Sequence, residues 1–349
     1  MKDLDLGRYA LSYCAVSLAL AGCSAVGSTG VPEHPLGLAP AVLDKDVSPD
    51  KRGKIKLFGD DYADPVPYGI TAGPDGALWI ADPGNDTVDR MTTRGHFTFY
   101  RAGAEVSTGI TSGPDGALWF TTEQEQPNAF IGRVATDGTV KLFNDPGGYY
   151  PQGITTGSDG ALWFGESDGM IGRITVDGKV KHFKVGPVKA IILSIVAGPD
   201  GALWATQNGN RVPGRIIRLE TSGKVTTYKV PAPEYICVGP DQALWFTEFG
   251  NAIGRVTANG KLSQFPIKGS PSSQAVAIAA GPDGALWFTG DSSNQAQIGR
   301  MTLSGKVSLY DVPTTGSAAL EEITSGPLGD MWFVSASPAA IGRITTRSR

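Results

Sequence analysis

Residues 281–288 read Gly-Pro-Asp-Gly-Ala-Leu-Trp-Phe, and close versions of this octapeptide occur seven times along the 349-residue chain. Each version carries a tryptophan at the same place, and together they account for every tryptophan of the sequence: Trp79, Trp119, Trp163, Trp204, Trp245, Trp287 and Trp332. Successive tryptophans are separated by about 42 residues, a length typical of one four-stranded propeller blade. The repeat therefore predicts an all-β, seven-bladed β-propeller.

The third repeat illustrates how one unit divides into strands. Residues 153–156, 161–165, 171–175 and 179–183 form apolar or alternating runs, and turn residues separate them. Glycine supplies the positive φ of tight turns, and Asp-Gly is a favoured hairpin tip. Four antiparallel strands per blade are therefore expected, and we name them A to D from the propeller axis outward.

The last repeat contains only three predicted strands. Residues 54–58, Lys-Ile-Lys-Leu-Phe, precede the first repeat and have the pattern of strand D. We expect this N-terminal strand to pair with the last blade, since closing the ring removes an exposed sheet edge.

The N-terminal residues resemble an export signal. An apolar run over residues 9–20 follows Lys2 and Arg8 and is too short to span about 30 Å of hydrocarbon. Residues 20–23, Leu-Ala-Gly-Cys, resemble a bacterial lipobox, which implies acylation of Cys23. An ordinary cleaved signal peptide is the alternative.

Three segments follow from this pattern: a signal peptide with lipobox over 1–23, a flexible tether rich in Pro, Gly and Ser over 24–50, and the propeller over 51–349. We therefore expect an exported protein of the bacterial cell envelope, an outer-membrane lipoprotein facing the periplasm. The net charge of −4 and the absence of a basic patch argue against nucleic acid as a partner. We expect a monomer that meets the membrane only through its lipid anchor.

Residues that occur in nearly every blade are expected to be structural. The tryptophans should pack between blades. The turn aspartates should hydrogen-bond within their turns. The arginines of strand C should bind carboxylates or carbonyls, and they are Arg90, Arg133, Arg173, Arg215, Arg255, Arg300 and Arg343.

Function should lie where the blades differ. Because strands A and B are antiparallel, the start of A and the end of B meet at one mouth of the central channel. The residues before strand A are Tyr68, Thr108, Gln152, Leu193, Glu234, Val276 and Glu321. The residues three after each tryptophan are Asp82, Thr122, Glu166, Gln207, Glu248, Gly290 and Ser335.

This acidic, polar mouth suits a cation, an amine-bearing ligand or a hydroxyl-rich ligand. A solvated loop face with scattered acids is the alternative. The residues that we predict to bind a small-molecule or protein ligand are Tyr68, Gln152, Glu166, Glu234 and Glu248.

The Gly-(Pro/Ser)-Asp-Gly-Ala-Leu-Trp-Phe-Thr-Glu and Ile-Gly-Arg-(Ile/Val)-Thr units resemble the streptogramin B lyase (virginiamycin B lyase) family over residues 54–346. The resemblance implies a seven-bladed propeller that opens a cyclic depsipeptide by elimination, with a histidine base and Mg²⁺ at one mouth. Residue by residue, however, the family's two histidines correspond to Val276 and Glu321. Its two glutamates correspond to Ala319 and to Ala336 or Ser335.

The chain has three histidines: His34 in the tether, and His96 and His182 in or beside D strands. None is expected to reach the central mouth. We therefore favour a propeller that binds a ligand or protein without the family's lyase chemistry. One alternative is a metal-dependent lyase in which Glu321 replaces the histidine base, and another is a calcium-dependent, lactonase-like hydrolase. A cofactor stays open, with Mg²⁺ or Ca²⁺ as the candidates.

Overall fold

The computed structural model describes residues 53–59, 65–124, 129–209, 212–249, 251–267, 274–291, 295–314 and 318–347, together with the backbone of a short strand at Val42–Leu43. These residues form seven sheets around one axis, each with four antiparallel strands and one with β1 added at its edge, which confirms the predicted propeller. No helix within these ranges is long and apolar enough to cross a bilayer. The predicted signal peptide and Cys23 lie outside the described residues.

The strands follow the order A to D in every blade. Strand A is β3 (Gly69–Ala72), β7 (Val106–Ser112), β11 (Ile154–Thr156), β15 (Ile191–Ala197), β19 (Pro233–Val238), β23 (Gln274–Ala280) and β27 (Ala319–Ser325). Strand B is β4 (Leu78–Asp82), β8 (Leu118–Thr122), β12 (Leu162–Gly165), β16 (Leu203–Asn208), β20 (Leu244–Glu248), β24 (Leu286–Asp291) and β28 (Met331–Ser337). Strand C is β5 (Thr87–Met91), β9 (Phe130–Val134), β13 (Met170–Ile174), β17 (Arg215–Leu219), β21 (Ala252–Val256), β25 (Gln297–Met301) and β29 (Ala339–Ile344). Strand D is β6 (Phe97–Arg101), β10 (Val140–Asn144), β14 (Val180–Lys184), β18 (Val225–Lys229), β22 (Leu262–Pro266), β26 (Lys306–Asp311) and, for the last blade, β2 (Ile55–Phe58).

The N-terminal strand closes the ring as predicted. Strand β2 pairs antiparallel with β29, from Ile55 opposite Ile344 to Phe58 opposite Ile341. The ring of Phe58 stacks on Trp332 with 5.8 Å between centroids. Two residues of the predicted tether, β1 (Val42–Leu43), pair in parallel with β26 at the outer edge of blade 6.

The core lies between the blades, where the tryptophans are fully buried. Trp204, for example, packs against Ile236 and Phe246 of the following blade and stacks on Tyr228 of its own strand D. A glycine in strand C makes room for the aromatic side chain of strand B, since a Cβ on Gly172 would lie 2.1 Å from the ring of Phe164. Apolar burial of this kind is the main driving force for folding.

One aspartate ties each tryptophan to an arginine. In blade 4 the indole nitrogen of Trp204 donates to Asp200 Oδ1 at 2.9 Å, and Arg218 Nε lies 2.6 Å from Asp200 Oδ2. The assignment of Arg215 to the repeated arginine position of this blade was wrong, because strand C pairs Arg218 with Trp204 and Arg215 with Gln207. Blade 7 varies the motif, because Trp332 there donates to a backbone carbonyl while Asp330 still binds its arginine.

Candidate functional site

Irregular pairing marks the start of strand A in five blades. The A–B register shifts between Val106 and Ile110, Ile192 and Ile195, Pro233 and Ile236, Ala275 and Ile278, and Leu320 and Ile323. A bulge of this kind leaves a backbone group unpaired and redirects side chains. The residues between the two paired parts therefore present their side chains differently from a regular strand.

Threonines of strand B bind the backbone at four of these bulges, in blades 2, 4, 5 and 6. Thr247 Oγ1 accepts from Tyr235 N at 3.1 Å and donates to Val276 O of the next blade at 2.7 Å. Thr206 and Thr289 make equivalent bonds. The hydroxyls thus link blades 4 to 7 in a chain beside the axis.

A cavity of about 40 Å³ lies on the axis. Its volume suffices for a few water molecules or the tip of a ligand, because one water needs about 10–15 Å³. Residues of six blades line it: Tyr68, Thr108, Gly109, Ile110, Gly153, Ile154, Leu193, Ser194, Ile195, Tyr235 and Glu322. A ligand larger than this cavity would have to rest on the mouth above it.

Glu322 supplies the only carboxyl group among the lining residues and also joins the last blade to the first. Its Oε2 accepts a hydrogen bond from Ile70 N at 2.7 Å. Gly69 allows this approach, since a Cβ there would lie 3.3 Å from Glu322 Oε2 and 2.1 Å from Thr108 O. Burial raises the pKa of Glu322 to about 8, so that the neutral acid predominates at pH 7.

The structure places the residues predicted before strand A at different depths. Tyr68 lines the axial cavity. Glu321 is 2% exposed and Gln152 is buried, its amide nitrogen donating to Tyr150 O at 3.0 Å, and neither lines the cavity. Glu234 is partly buried, and burial raises its pKa to about 7.

The neighbours Tyr235 and Glu322 line the cavity in place of Glu234 and Glu321. Thr108 and Leu193, at the same positions of two other bulged strands, do line the cavity, so a bulge alone does not determine which residue faces it. The predicted roles of Gln152, Glu234 and Glu321 stay predictions.

Glu166 and Glu248, three residues after their tryptophans, are buried and turn to strand D of their own blades. Glu248 accepts a hydrogen bond from the side chain of Gln264. Burial raises the pKa of Glu248 to about 7. Neither carboxylate lines the axial cavity, so their predicted contact with a ligand at the mouth also stays a prediction.

Glu166 belongs instead to a group that we call the blade-3 cluster, formed with Asp145 and His182. His182 Nε2 lies 3.0 Å from Asp145 Oδ1 and 3.5 Å from Glu166 Oε1. The contacts with Asp145 and then with Glu166 raise the pKa of His182 to about 10, while burial raises that of Glu166 to about 7. His182 does not line the axial cavity, but it does reach Glu166, which the sequence had placed at the mouth.

Comparison with known proteins agrees with the propeller and its repeat. The model described as the virginiamycin B lyase family matches residues 54–234 and 188–349, which together span nearly all of the described chain. The chain belongs to the virginiamycin B lyase family. A search of curated proteins gives no significant match.

Solved members of the virginiamycin B lyase family share the fold at moderate identity. A streptogramin B lyase is 30% identical with a TM-score of 0.75, over 84% of this chain and 98% of its own. A catalytically inactive virginiamycin B lyase from Staphylococcus aureus with quinupristin is 34% identical with a TM-score of 0.74, over 84% and 99%. A propeller named as a gluconolactonase candidate is 13% identical with a TM-score of 0.52, which shows the fold alone.

The metal that the virginiamycin B lyase family implies does not fit this chain. At the matching positions, Val276 and Ala319 have no side-chain oxygen or nitrogen to bind Mg²⁺, the second glutamate is replaced by Ala336 or Ser335, and Glu321 is the one carboxylate. Mg²⁺ needs several oxygen ligands in near-octahedral geometry. Within the described residues, the metal-competent grouping of three side chains is the blade-3 cluster, away from these positions.

Proposed function

We propose that this member of the virginiamycin B lyase family binds a hydroxyl- or amine-bearing ligand, or such a group of a protein, at the axial mouth without the family's lyase chemistry. The observation that carries the proposal is the axial cavity, whose lining includes the polar residues Tyr68, Thr108, Ser194, Tyr235 and Glu322. Convergent hydroxyl and carboxyl groups in a small concave site fix the orientation of a ligand.

The replaced positions support the loss of lyase chemistry. A proton abstraction near neutral pH needs a base with a matched pKa, and histidine serves this role most often. The two described histidines do not line the axial cavity, and Val276 and Glu321 occupy the positions of the family's histidines.

A second candidate function rests on Glu322. This carboxyl group lines the cavity, and its pKa of about 8 is close to that of an efficient general base at neutral pH. A carbon–oxygen lyase acting on a cyclic depsipeptide would then use Glu322 rather than the predicted Glu321.

Two measurements on the purified chain separate these functions. Saturation-transfer NMR with a set of alkylamines and polyols should detect a binder whose affinity falls about tenfold or more in Glu322→Gln and Tyr235→Ala. The amide oxygen that Glu322→Gln introduces can still accept from Ile70 N, so the seam between blades 7 and 1 is preserved. Phe99→Ala, at an exposed side chain of strand D, is the matched control and should bind as the parent does.

Incubation with quinupristin tests the chemistry, and chromatography with mass spectrometry reads it out. We expect intact substrate. Linearisation without a mass change, lost in Glu322→Gln, would favour the lyase, since elimination adds no water. A product heavier by one water would favour the hydrolase.

The proposed location is the cell envelope, and it rests on the Leu-Ala-Gly-Cys motif at residues 20–23. In a bacterial host, the full chain should incorporate a fatty-acid analogue and sediment with membranes. Cys23→Ala should lose the label and move to the soluble fraction. An unlabelled parent protein whose N-terminus lies elsewhere would support the ordinary signal peptide.

A further inference from the structure

Three equivalent positions occur at each interface between blades. The first is the residue directly after strand D of the preceding blade, the second lies three residues after the tryptophan, and the third is the middle of strand D. Outside blade 3, the first position holds Gly59, Ala102, Val185, Val230, Ile267 and Val312. In the same blade order, the third position holds Phe99, Leu142, Thr227, Gln264, Leu309 and Leu57.

Blade 3 alone has ionisable groups at all three positions, namely Asp145, Glu166 and His182. Of the other blades, blade 1 has one ionisable group at these positions, Asp82, and blade 5 has one, Glu248. The remaining four blades have none. The backbone at the first position is the same in these blades, since Asp145 N and Val185 N both donate to the carbonyl before strand C. The packing of a propeller therefore does not require these charges.

The side chains of the blade-3 cluster lie at distances suited to a metal. One ligand atom from each residue lies within 4.8 Å of the others. The contacts of 3.0 Å and 3.5 Å made by His182 Nε2 are close to the separation between ligands in a tetrahedral zinc site, which is about 3.3 Å for bonds of about 2.0–2.1 Å.

One polar atom of the cluster lacks a partner. Glu166 Oε2 has no hydrogen-bond partner, whereas His182 Nε2 lies at ion-pair distance from both carboxylates. Asp145 is 1% exposed and Glu166 is 0% exposed. Buried polar atoms are rarely left in this state, because it costs free energy that a ligand or ion can recover.

Two glycines bring the chain close to these ligands. A Cβ on Gly147 would lie 2.9 Å from His182 Cε1, and a Cβ on Gly148 would lie 2.3 Å from Asp145 Oδ2. A side chain at Gly147 or Gly148 would collide with the cluster. The connection from blade 2 to blade 3 can therefore pass this close only because both residues are glycine.

We propose that Asp145, Glu166 and His182 form a binding site for a divalent transition metal of the Zn²⁺ class. One imidazole and two carboxylates are a donor set that suits Zn²⁺, whereas Mg²⁺ and Ca²⁺ prefer oxygen ligands alone. Zn²⁺ would displace the proton on His182 Nε2, which is released to solvent, so that two carboxylates and a neutral imidazole balance the charge of the ion. Water would complete the coordination on the side where His182 is 17% exposed.

The site has a structural consequence. Tyr149 N donates to Glu166 Oε1, and Ser167 N donates to Tyr149 O, so the connection between blades 2 and 3 already rests on the end of strand B. A metal bound to Asp145 and Glu166 would link the start of this connection to the end of strand B. Bound metal stabilises a folded protein in proportion to the logarithm of its concentration above the dissociation constant.

Metal binding by the tag-free full chain tests the proposal. After chelator treatment and gel filtration, titration calorimetry with Zn²⁺ should give one site per chain, and the same Zn²⁺ should raise the melting temperature. Co²⁺ should give visible absorption bands that report imidazole coordination. Mg²⁺ and Ca²⁺ should bind at least about tenfold more weakly.

Variants identify the ligands. His182→Gln and Glu166→Gln keep the side-chain size, and each should weaken Zn²⁺ binding on the order of 100-fold and remove the Co²⁺ bands. His96→Gln removes an exposed histidine and should leave both unchanged. Circular dichroism establishes whether each variant is folded. If His182→Gln does not fold, the folded Glu166→Gln variant alone still tests the ligands.

Two outcomes would overturn the proposal. One is that the folded parent protein binds no Zn²⁺ when the metal is in about 100-fold excess over protein. The cluster would then be an ion pair and not a metal site. The other is binding that survives in both His182→Gln and Glu166→Gln.

Discussion

Removal of residues 1–59 is expected to prevent cooperative folding of the propeller, whereas removal of residues 1–50 is expected to leave the melting temperature nearly unchanged. The larger deletion takes away β2, and with it the ring of Phe58 against Trp332 and the outer edge of blade 7. Losing a buried phenylalanine costs about 3–5 kcal/mol, and Ile55 and Leu57 add to this. A whole domain is stable by only about 5–15 kcal/mol.

Differential scanning calorimetry and light scattering on the two deletion variants measure this difference. The variant without β2 also exposes the edge of β29, so we expect it to aggregate, as unpaired edges do. A monomeric variant lacking residues 1–59 that melts at the same temperature as the variant lacking residues 1–50 would show that β2 does not close the ring.

The repeat was enough to predict the fold, because seven copies of one motif leave little freedom in the number and order of strands. Its limits appear where one copy departs from the others. In blade 4 strand C carries two arginines, and the one opposite the tryptophan is Arg218, not Arg215, which the sequence had assigned to the repeated position. In blade 7 the aspartate itself moves next to strand B, at Asp330.

The candidate site was harder to predict, because it depends on side-chain direction. Sequence spacing placed Glu234 and Glu321 at the mouth, which stays a prediction, and it did not show that their neighbours Tyr235 and Glu322 line the cavity. The signal for a bulge was present in part: the threonine two residues after the tryptophan, as in Thr247, marks the blades in which a bulge needs a hydroxyl partner.

The blade-3 cluster was missed for a different reason. Glu166 is at a rim position, whereas Asp145 lies directly after one D strand and His182 in the middle of another. Their signal in the sequence is an aspartate where the other blades have small or apolar residues. In a protein built from repeats, the scaffold is encoded by what the copies share, and a site by positions at which one copy differs.

The shared residues account for most of the stability, and Trp204→Ala should show this. The side chain is fully buried, stacks on Tyr228 and packs against blade 5. Its loss should lower the free energy of unfolding by about 3–5 kcal/mol in denaturant titrations, because the cavity left between two sheets cannot collapse.

Two milder variants separate packing from the polar network around the same indole. Trp204→Phe keeps the ring but loses the hydrogen bond to Asp200, which should cost about 0.5–1.5 kcal/mol plus a smaller packing loss. Asp200→Asn keeps an acceptor for the indole and weakens only the partly exposed ion pair with Arg218, worth about 1 kcal/mol or less. If Asp200→Asn destabilised the protein as much as Trp204→Ala, the charge network rather than burial between blades would hold the ring together. The opposite order is expected, because an ion pair at the surface gains little over its solvated ions, whereas the indole replaces water by protein on both of its faces.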